Sequence, residues 1–360
     1  MKILFDLGHP AHVHFFKYIM RNLEKDGHTI KICIRERENI VKNLLTVYGF
    51  PYESLEKNKP GLLNKCIGMI KNDWKLYKIS TVFEPDLFVS LGSPYSAQVS
   101  RLIHKPSIVF TDSEPTQLIL SLTVPFADTV ITPIGFDKGF GAKHVRINGF
   151  KETAYLHPNR YIPNPEILDI LGIKNTDKYV IFRFNAFDSS HDYGIRGFTL
   201  EDKQHMIRLI KNYARVFISS EIPLPKDLSE YAIQIPPHMM HDALYYASLL
   251  ISDTQTSTTE AACLGTPAIR CNSFVGSSDM SNFVELEQKY RLIFNYTNPE
   301  SVMKRAIELI TKDHIKDEWA ERRKILFNDK IDVTTFMTDF IERYPDRLRQ
   351  MKRNKNYISQ

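Results

Sequence analysis

The chain has 360 residues, a length that predicts two domains of ordinary size. Hydrophobic residues make up 43% of it and charged residues 25%, which is typical of a globular protein with a large core. A net charge of +5 is modest for this length, and the sequence carries no helix-turn-helix, zinc-finger or RRM signature, so no nucleic-acid partner is expected. No apolar run reaches the length that a membrane span needs.

The start of the chain and its cysteines indicate a cytoplasmic protein. The opening residues, MKILFDLGHP, enter a strand-like run and lack the apolar block of a signal peptide. The cysteines are scattered without CxxC spacing, which disfavours a disulfide framework and a zinc site. We therefore expect a reducing, cytoplasmic environment.

The first half of the chain alternates predicted strands with predicted helices. A helix is predicted from Ala11 to Lys25, closed by Gly27, because its apolar residues recur at helical spacing. Short apolar runs predict strands at 3–5, 30–34, 87–90, 107–110 and 129–131. Such alternation favours a parallel, doubly wound sheet.

A second series follows a proline-rich connection at 157–178, which includes a short helix ending at Gly172. Its predicted strands are 179–182, 216–219, 249–252 and 267–269. We predict an α/β protein of two Rossmann-like doubly wound parallel-sheet domains facing a cleft. The predicted divisions are 1–157, 158–330 and a last segment, 331–360, whose helix from Val333 packs back on the first domain and whose basic tail is frayed.

A hydroxyl-rich turn after the strand 249–252 is the strongest local signal. Thr254, Thr256 and Ser257 are placed to cap the helix that follows, and the N-terminus of that helix would attract a phosphate. Glu260 lies about one turn into the helix, where a carboxylate can accept from both hydroxyls of a ribose. The alternative is an ordinary capped helix with an acid near its start.

Three histidines follow the first predicted strand, in Gly8-His9-Pro10-Ala11-His12-Val13-His14. Turns after parallel strands are where ligands bind, and histidine titrates near neutral pH. We predict that His12 is a general base or a diphosphate contact. In the alternative, one histidine caps the helix and the others are exposed; nothing nearby completes a zinc site.

Two further loops carry candidate residues. Arg183, at the end of a strand, offers a planar fork of donors for a phosphate, and His191 could neutralise or donate to a diphosphate. Asp112 and Glu114 follow a first-domain strand and could act as acid or base. Incidental polar residues on a surface loop are the alternative for both loops.

Three other features are weaker. Arg270 either reaches the cleft or pairs on the surface, and His238 and His241 are expected to be structural. Between Lys57 and Lys78, lysines surround apolar residues in a predicted helix that either contacts a membrane or packs on its domain.

Several of these motifs together resemble a known family that covers roughly residues 1 to 340. They are Gly8–Phe16, the Ser-His-Asp-Tyr-Gly run at 190–194, Gly149–Glu152, Tyr155–Arg160 and Leu249–Pro267. The family is catalogued as domain of unknown function number three hundred and fifty-four. It is similar to GT-B proteins, notably the non-hydrolysing UDP-N-acetylglucosamine 2-epimerases and the lipid-linked N-acetylglucosaminyltransferase of peptidoglycan synthesis.

The resemblance implies roles for particular residues. The epimerase pattern Asp-Ser-Gly-Gly-x-x-x-Glu-Ala corresponds to residues 253–261, which implies diphosphate contacts at Thr254, Gln255 and Thr256 and a ribose contact at Glu260. Its two glycines are replaced by Gln255 and Thr256. The transferase's Gly-Gly-His turn corresponds to residues 10–12 and keeps only the histidine. The epimerase carboxylates have no clean counterparts, since Asp112 and Glu114 fall near one of them without matching its motif, and this disfavours epimerase activity.

The resemblance and the motifs together predict a metal-independent GT-B glycosyltransferase of surface-polysaccharide or glycoconjugate synthesis. Its donor would be a nucleotide diphosphate-sugar, with no other cofactor, and its acceptor a glycan or a lipid-linked glycan. A non-hydrolysing sugar-nucleotide epimerase and a non-catalytic sugar-nucleotide-binding protein are the alternatives. The protein is expected to be cytoplasmic, either fully soluble or peripheral at the inner face of the membrane.

Overall fold

Parallel strands that alternate with helices form two separate sheets in the computed structural model, which describes residues 1–35, 39–56, 62–174, 176–185, 197–276 and 279–353. The chain divides into two units, one of Met1–Tyr155 with Lys330–Gln360 (unit 1) and one of Leu156–Asp329 (unit 2). Each unit holds one parallel sheet with helices between its strands. The predicted fold class, two doubly wound α/β units, is confirmed.

Unit 1 contains a sheet of seven strands that all pair in parallel. The strands are β1 (Lys2–Leu7), β2 (Thr29–Arg35), β3 (Glu53–Leu55), β4 (Leu87–Leu91), β5 (Ser107–Phe110), β6 (Thr129–Pro133) and β7 (His144–Ile147). Their order across the sheet is β3-β2-β1-β4-β5-β6-β7. The order reverses between β1 and β4, which therefore form the topological switch point of this sheet.

Helices follow these strands along the chain. They are α1 (Pro10–Lys25), α2 (Asn39–Val47), α3 (Leu62–Phe83), α4 (Pro94–Leu102), α5 (Gln117–Thr123) and α6 (Thr153–Leu156). The helix predicted over 11–25 is confirmed as α1. It starts at Pro10, the His9 side chain accepts a hydrogen bond from the Ala11 N–H at 3.2 Å, and its apolar residues are buried at helical spacing.

Unit 2 contains a smaller sheet in the order β12-β11-β10-β8-β9. Its strands are β8 (Tyr179–Phe184), β9 (Arg215–Ser220), β10 (Leu249–Ser252), β11 (Ala268–Cys271) and β12 (Ile293–Tyr296). Its helices are α7 (Glu166–Leu171), α8 (Leu200–Ile210), α9 (Met240–Tyr246), α10 (Thr256–Leu264), α11 (Ser281–Gln288), α12 (Pro299–Thr311) and α13 (Ile315–Asp329). The predicted helix end at Gly172 is confirmed, with φ of 62°.

The predicted strands omit β3, β7 and β12. Each has three or four residues and lies at a sheet edge. Because each of these short strands includes polar side chains, it lacks the continuous apolar run by which buried parallel strands are recognised.

The last described helices belong to unit 1. They are α14 (Val333–Glu342) and α15 (Asp346–Arg353). α14 lies beside α1, where Asn22 Nδ2 donates to Thr338 Oγ1 at 3.3 Å. The prediction that the basic tail is frayed is wrong over Asp346–Arg353, where Leu348 and Met351 are buried at helical spacing.

Buried polar side chains lie at the carboxyl end of the unit 1 sheet. Asp6 in β1 is fully buried, and Ser93 Oγ donates to its Oδ2. Oδ1 of Asp6 and Oδ1 of Asp73, in α3, have no hydrogen-bond partner among the described residues. Burial, and then the charge of Asp6, raise the pKa of Asp73 to about 7. Asp73 therefore keeps a proton at pH values where an exposed aspartate has lost it.

Replacing Asp73 with asparagine is expected to raise the free energy of unfolding at about pH 8 by about 2 kcal/mol. The folded-state pKa lies above the usual 3.8, so the native state binds the extra proton and stability falls as the pH rises from 3.8 to about 7. The figure is about half of what the full shift implies, because the side chain is partly exposed.

Urea unfolding at about pH 5 and about pH 8, followed by circular dichroism, measures this dependence. The exposed Asp137 of the same unit supplies the matched control, Asp137→Asn, which should leave the pH dependence of stability unchanged. A wild-type pH dependence in Asp73→Asn would contradict the prediction.

Candidate functional site

The sheet of unit 2 has its switch point between β8 and β10, and candidate residues follow both strands. Arg183 lies near the end of β8, and the turn Asp253–Gln255 leads from β10 into α10. Because ligands of open α/β sheets bind at the carboxyl ends of strands beside a switch point, this edge is the candidate site of unit 2.

The N-terminus of α10 carries no side-chain cap. Its N-cap residue is Gln255, and no side-chain capping bond to this helix occurs in the described part of the chain. The predicted capping by Thr254, Thr256 and Ser257 is wrong, because Thr254 Oγ1 is held by Ser252 Oγ at 2.7 Å and the other two residues lie within the helix. The first-turn N–H groups and the positive end of the helix dipole are therefore available to an anion.

Asp253 connects the two turns at this edge. Its Oδ1 accepts from the Asn185 N–H at 2.7 Å, and Asn272 Nδ2 donates to its backbone carbonyl at 3.0 Å. Burial raises the pKa of Asp253 to about 6, although hydrogen bonds to its charged form and the charge of Lys203 oppose the shift. Sequence reasoning did not single out this residue, since an aspartate that ends a strand does not reveal which backbone group it binds.

Glu260 lies in α10 and is nearly buried. His241, in α9, places Nε2 3.0 Å from Glu260 Oε1, and the two side chains are only 5% and 8% exposed. The sequence suggested only that His241 is structural. It did not reveal the contact with Glu260, because the two residues belong to different helices.

Arg183 is held from the side of β9. Its Nη1 donates to Ser219 Oγ at 3.0 Å, and its Nη2 lies 2.7 Å from Glu221 Oε1. The side chain is 24% exposed and is therefore partly open to solvent. The other candidate of this loop, His191, lies outside the described residues.

The sequence suggested that Arg270 reaches the cleft or pairs at the surface, and both alternatives are wrong. It is fully buried, forms an ion pair with Asp279, and donates from Nε to Asn295 Oδ1 at 2.9 Å. Its guanidinium lies 3.6 Å from the centre of the Phe283 ring. Arg270 is thus a core residue of unit 2.

In unit 1, His12 lies beside the switch point between β1 and β4. Its Nδ1 accepts from the Gly8 N–H at 3.2 Å. Burial, followed by the charges of His9, Arg35 and Lys151, lowers the pKa of His12 well below 6.5. His12 is therefore neutral at physiological pH, and because Nδ1 is the acceptor, the proton lies on Nε2.

The tautomer of His12 determines its chemistry. A neutral imidazole with its proton on Nε2 donates a hydrogen bond from that atom, whereas a general base needs a free lone pair there. This arrangement favours a contact to a phosphate or a developing oxyanion. Among the three histidines, His9 caps α1 and His14 is buried, and no group of three or more potential metal ligands occurs within the described ranges.

Sequence reasoning missed Arg35, which lies at the end of β2. A side-chain carbon at Gly8 would lie 1.6 Å from Arg35 Nη2, so a larger residue at this position would displace the flexible guanidinium from its place beside the turn. The glycine of the motif was the available signal, but the residue that approaches it lies on a neighbouring strand.

Asp112, itself partly exposed, belongs to a charge cluster with the buried residues Lys151 and Glu152. Lys151 Nζ lies 2.8 Å from Asp112 Oδ2 and 3.4 Å from Glu152 Oε1. Burial by itself would lower the pKa of Lys151, but the charges and hydrogen bonds of the two carboxylates raise it above its usual value. Glu114 lies nearby in sequence and accepts from Lys138 Nζ through its backbone carbonyl at 3.1 Å.

Comparisons with known sequences place the chain among proteins of unknown function. A family model described as "Protein of unknown function (DUF354)" matches residues 1–333. A protein of Methanocaldococcus jannaschii described as uncharacterized is 25% identical over 287 residues, which cover 75% of this chain and 82% of that protein.

Two solved structures are similar over nearly the whole chain. The UDP-GlcNAc 2-epimerase of Methanocaldococcus jannaschii, in complex with UDP-GlcNAc and UDP, has a TM-score of 0.65 at 15% identity and covers 91% of this chain and 100% of its own. The glycosyltransferase SsfS6 of Streptomyces sp. SF2575 has a TM-score of 0.60 at 12% identity, with coverage of 95% and 99%. These likenesses concern the fold, and the predicted GT-B architecture is confirmed.

Proposed function

We propose that this chain, which belongs to the family described as "Protein of unknown function (DUF354)", is an enzyme that processes a nucleoside diphosphate sugar. The match of the family model to residues 1–333 confirms the family membership expected from the motifs. The family's description leaves the activity open. The observation that carries the proposal is the uncapped N-terminus of α10 beside a sheet switch point, one turn before Glu260.

The donor is assigned to unit 2. Its diphosphate lies at the α10 N-terminus against Thr254, Gln255 and Thr256, with Arg183 and His191 as further contacts, and Glu260 accepts from the ribose hydroxyls. The UDP-GlcNAc and UDP held by the fold neighbour support a nucleotide ligand of this kind. Because the helix dipole and Arg183 stabilise the charge of the leaving diphosphate, the reaction needs no metal.

The reaction we favour is glycosyl transfer in surface-polysaccharide or glycoconjugate synthesis. An acceptor hydroxyl, bound to unit 1, loses its proton to Asp112 or Glu114 and attacks the anomeric carbon. The bond from that carbon to the phosphate oxygen breaks, and the nucleoside diphosphate leaves. His12 donates from Nε2 to an oxygen on which negative charge develops.

Incubation with a panel of UDP- and GDP-sugars, with and without glycan or lipid-linked acceptors, tests this function. Release of nucleoside diphosphate that requires an acceptor supports transfer. A new sugar nucleotide formed without acceptor would instead support epimerisation, which the fold of the UDP-GlcNAc 2-epimerase favours as second candidate. Binding without turnover would overturn both activities and leave a sugar-nucleotide-binding protein.

Glu260→Ala should weaken binding of the preferred nucleotide by about 1–3 kcal/mol, because the ribose hydroxyls lose a charged acceptor. Calorimetric titration with UDP or GDP measures the loss. Glu201, an exposed acid of α8 in the same unit, supplies the control variant Glu201→Ala. Unchanged affinity in Glu260→Ala would remove this residue from the site.

We propose further that the protein is cytoplasmic and meets the inner face of the membrane through α3. Ile67, Ile70 and Trp74 lie along one side of this helix and are 52%, 68% and 58% exposed. Lys71, Lys75 and Lys78 are also exposed along this helix. Exposed apolar side chains flanked by lysines suit an anionic lipid surface. Among the described residues, no helix combines the length and apolar character that crossing a membrane requires.

Co-sedimentation with anionic liposomes is expected at about 50 mM salt and should fade at about 500 mM, because salt screens the attraction. Each lysine near the surface contributes about 1 kcal/mol, so the triple variant Lys71→Glu, Lys75→Glu, Lys78→Glu should abolish pelleting. The control reverses the same number of exposed lysines in unit 2, at 211, 226 and 304. Equal pelleting by both triple variants, or none by the wild type, would exclude α3 as a membrane contact.

A further inference from the structure

His241 lies against the carboxylate that we assign to the ribose. It is the second residue of α9, and its Nε2 lies 3.0 Å from Oε1 of Glu260 in α10. Both side chains are less than a tenth exposed, so water competes little for this contact. A nearly buried carboxylate needs such a partner, since an unpaired one loses its hydration without compensation.

The start of α9 is itself held in place. Asp242 Oδ1 accepts from the Tyr161 hydroxyl at 2.7 Å and from the Asn164 N–H at 2.9 Å. The Tyr161 ring meets the His241 imidazole edge-on, with ring centres 6.5 Å apart. His241 therefore has little freedom to move away from Glu260.

We propose that His241 is a positioning residue that makes the nucleotide site selective for ribonucleotides. By holding Oε1, it limits rotation of the Glu260 carboxylate. The hydrogen-bond acceptor is therefore oriented before the ligand arrives, and less conformational freedom is lost on binding. A ribose that offers both hydroxyls gains from a fixed carboxylate, whereas a 2′-deoxyribose offers one donor fewer. The inference rests on the proposed function, in which Glu260 contacts the ribose.

The chemistry of the pair predicts an order among His241 variants. Phenylalanine keeps a planar ring but has no group that can bond Glu260, so the carboxylate loses its orientation. Glutamine keeps a side-chain N–H of similar reach and should retain part of the selectivity. His238, three residues earlier and partly exposed, provides the matched control His238→Phe.

The test is calorimetric titration with UDP and 2′-deoxy-UDP, and with GDP and 2′-deoxy-GDP. The wild type is expected to bind the ribonucleotide about 10-fold or more tightly than its deoxy form. His241→Phe should reduce this ratio to about 2-fold, mainly by weakening the ribonucleotide, and His241→Gln should lie between them. In a Glu260→Ala background, His241→Phe should have no further effect on the ratio.

The possible failures are distinguishable. If the wild type binds neither nucleotide, the proposed function fails. If it binds them and His241→Phe keeps the full ratio, with or without a lower melting temperature, His241 is only structural and this inference fails alone. Should His241→Phe not fold, a full wild-type ratio in both His241→Gln and Glu260→Gln overturns the inference.

Discussion

Replacing His12 with alanine is expected to lower turnover by about 100-fold or more, while the affinity for the nucleotide stays within about three-fold. The imidazole is neutral and bonded through Nδ1 to the Gly8 N–H, which leaves Nε2–H to stabilise charge that develops in the transition state. Such a donor contributes little to the ground state, so its loss reduces kcat more than binding.

The pH profile tests the neutral state of His12 on which this role depends. Because the pKa of His12 lies well below 6.5, turnover should show no titration of this residue between about pH 6 and about pH 9. His9→Ala, at the exposed cap of α1, is the control and should retain most of the activity. A collapse of nucleotide affinity in His12→Ala would instead make His12 a diphosphate contact.

Asp279→Ala is expected to destabilise unit 2 by about 3–5 kcal/mol, because it leaves the fully buried Arg270 without its ion-pair partner. Asn295 and the face of the Phe283 ring would remain, but neither carries a negative charge. Removing both charges together, in Arg270→Met with Asp279→Leu, should cost much less, since no unpaired charge stays in the core.

Trp319 makes this measurement specific to unit 2. The chain has two tryptophans, and Trp319 is buried in unit 2 while Trp74 is exposed in unit 1. In a Trp74→Phe background, urea unfolding followed by fluorescence reports unit 2. Glu321→Ala, which breaks an exposed ion pair with Lys324, is the control and should cost less than about 1 kcal/mol. If Asp279→Ala also costs less than about 1 kcal/mol, another group balances the charge of Arg270.

The sequence predicted the alternation of strands and helices because buried parallel strands and amphipathic helices leave local patterns. β1, β4, β5 and β10 are confirmed where their apolar runs lie. Three short edge strands, β3, β7 and β12, were not predicted for the same reason, since β7, for example, mixes His144 and Arg146 with its two apolar residues.

The candidate site was predictable in position more than in detail. The turns after β1, β8 and β10 were identified from polar residues that follow apolar runs. The predicted capping of α10 was wrong because the Thr254 hydroxyl bonds Ser252 instead. Within a turn, a hydroxyl group has several possible partners of similar energy. A sequence states which groups can bond, and the backbone conformation selects among them.

The sequence by itself determined the family, the two parallel α/β units and the edges that carry the polar turns, because each depends on residues close together in the chain. Only the tertiary structure decided that Arg35 lies against Gly8, that His241 holds Glu260 and that Arg270 is in the core. These contacts join residues from separate elements, and the pKa of His12 depends on charges brought together in the same way. Folding brings such groups close enough to interact and removes the water that would otherwise screen them.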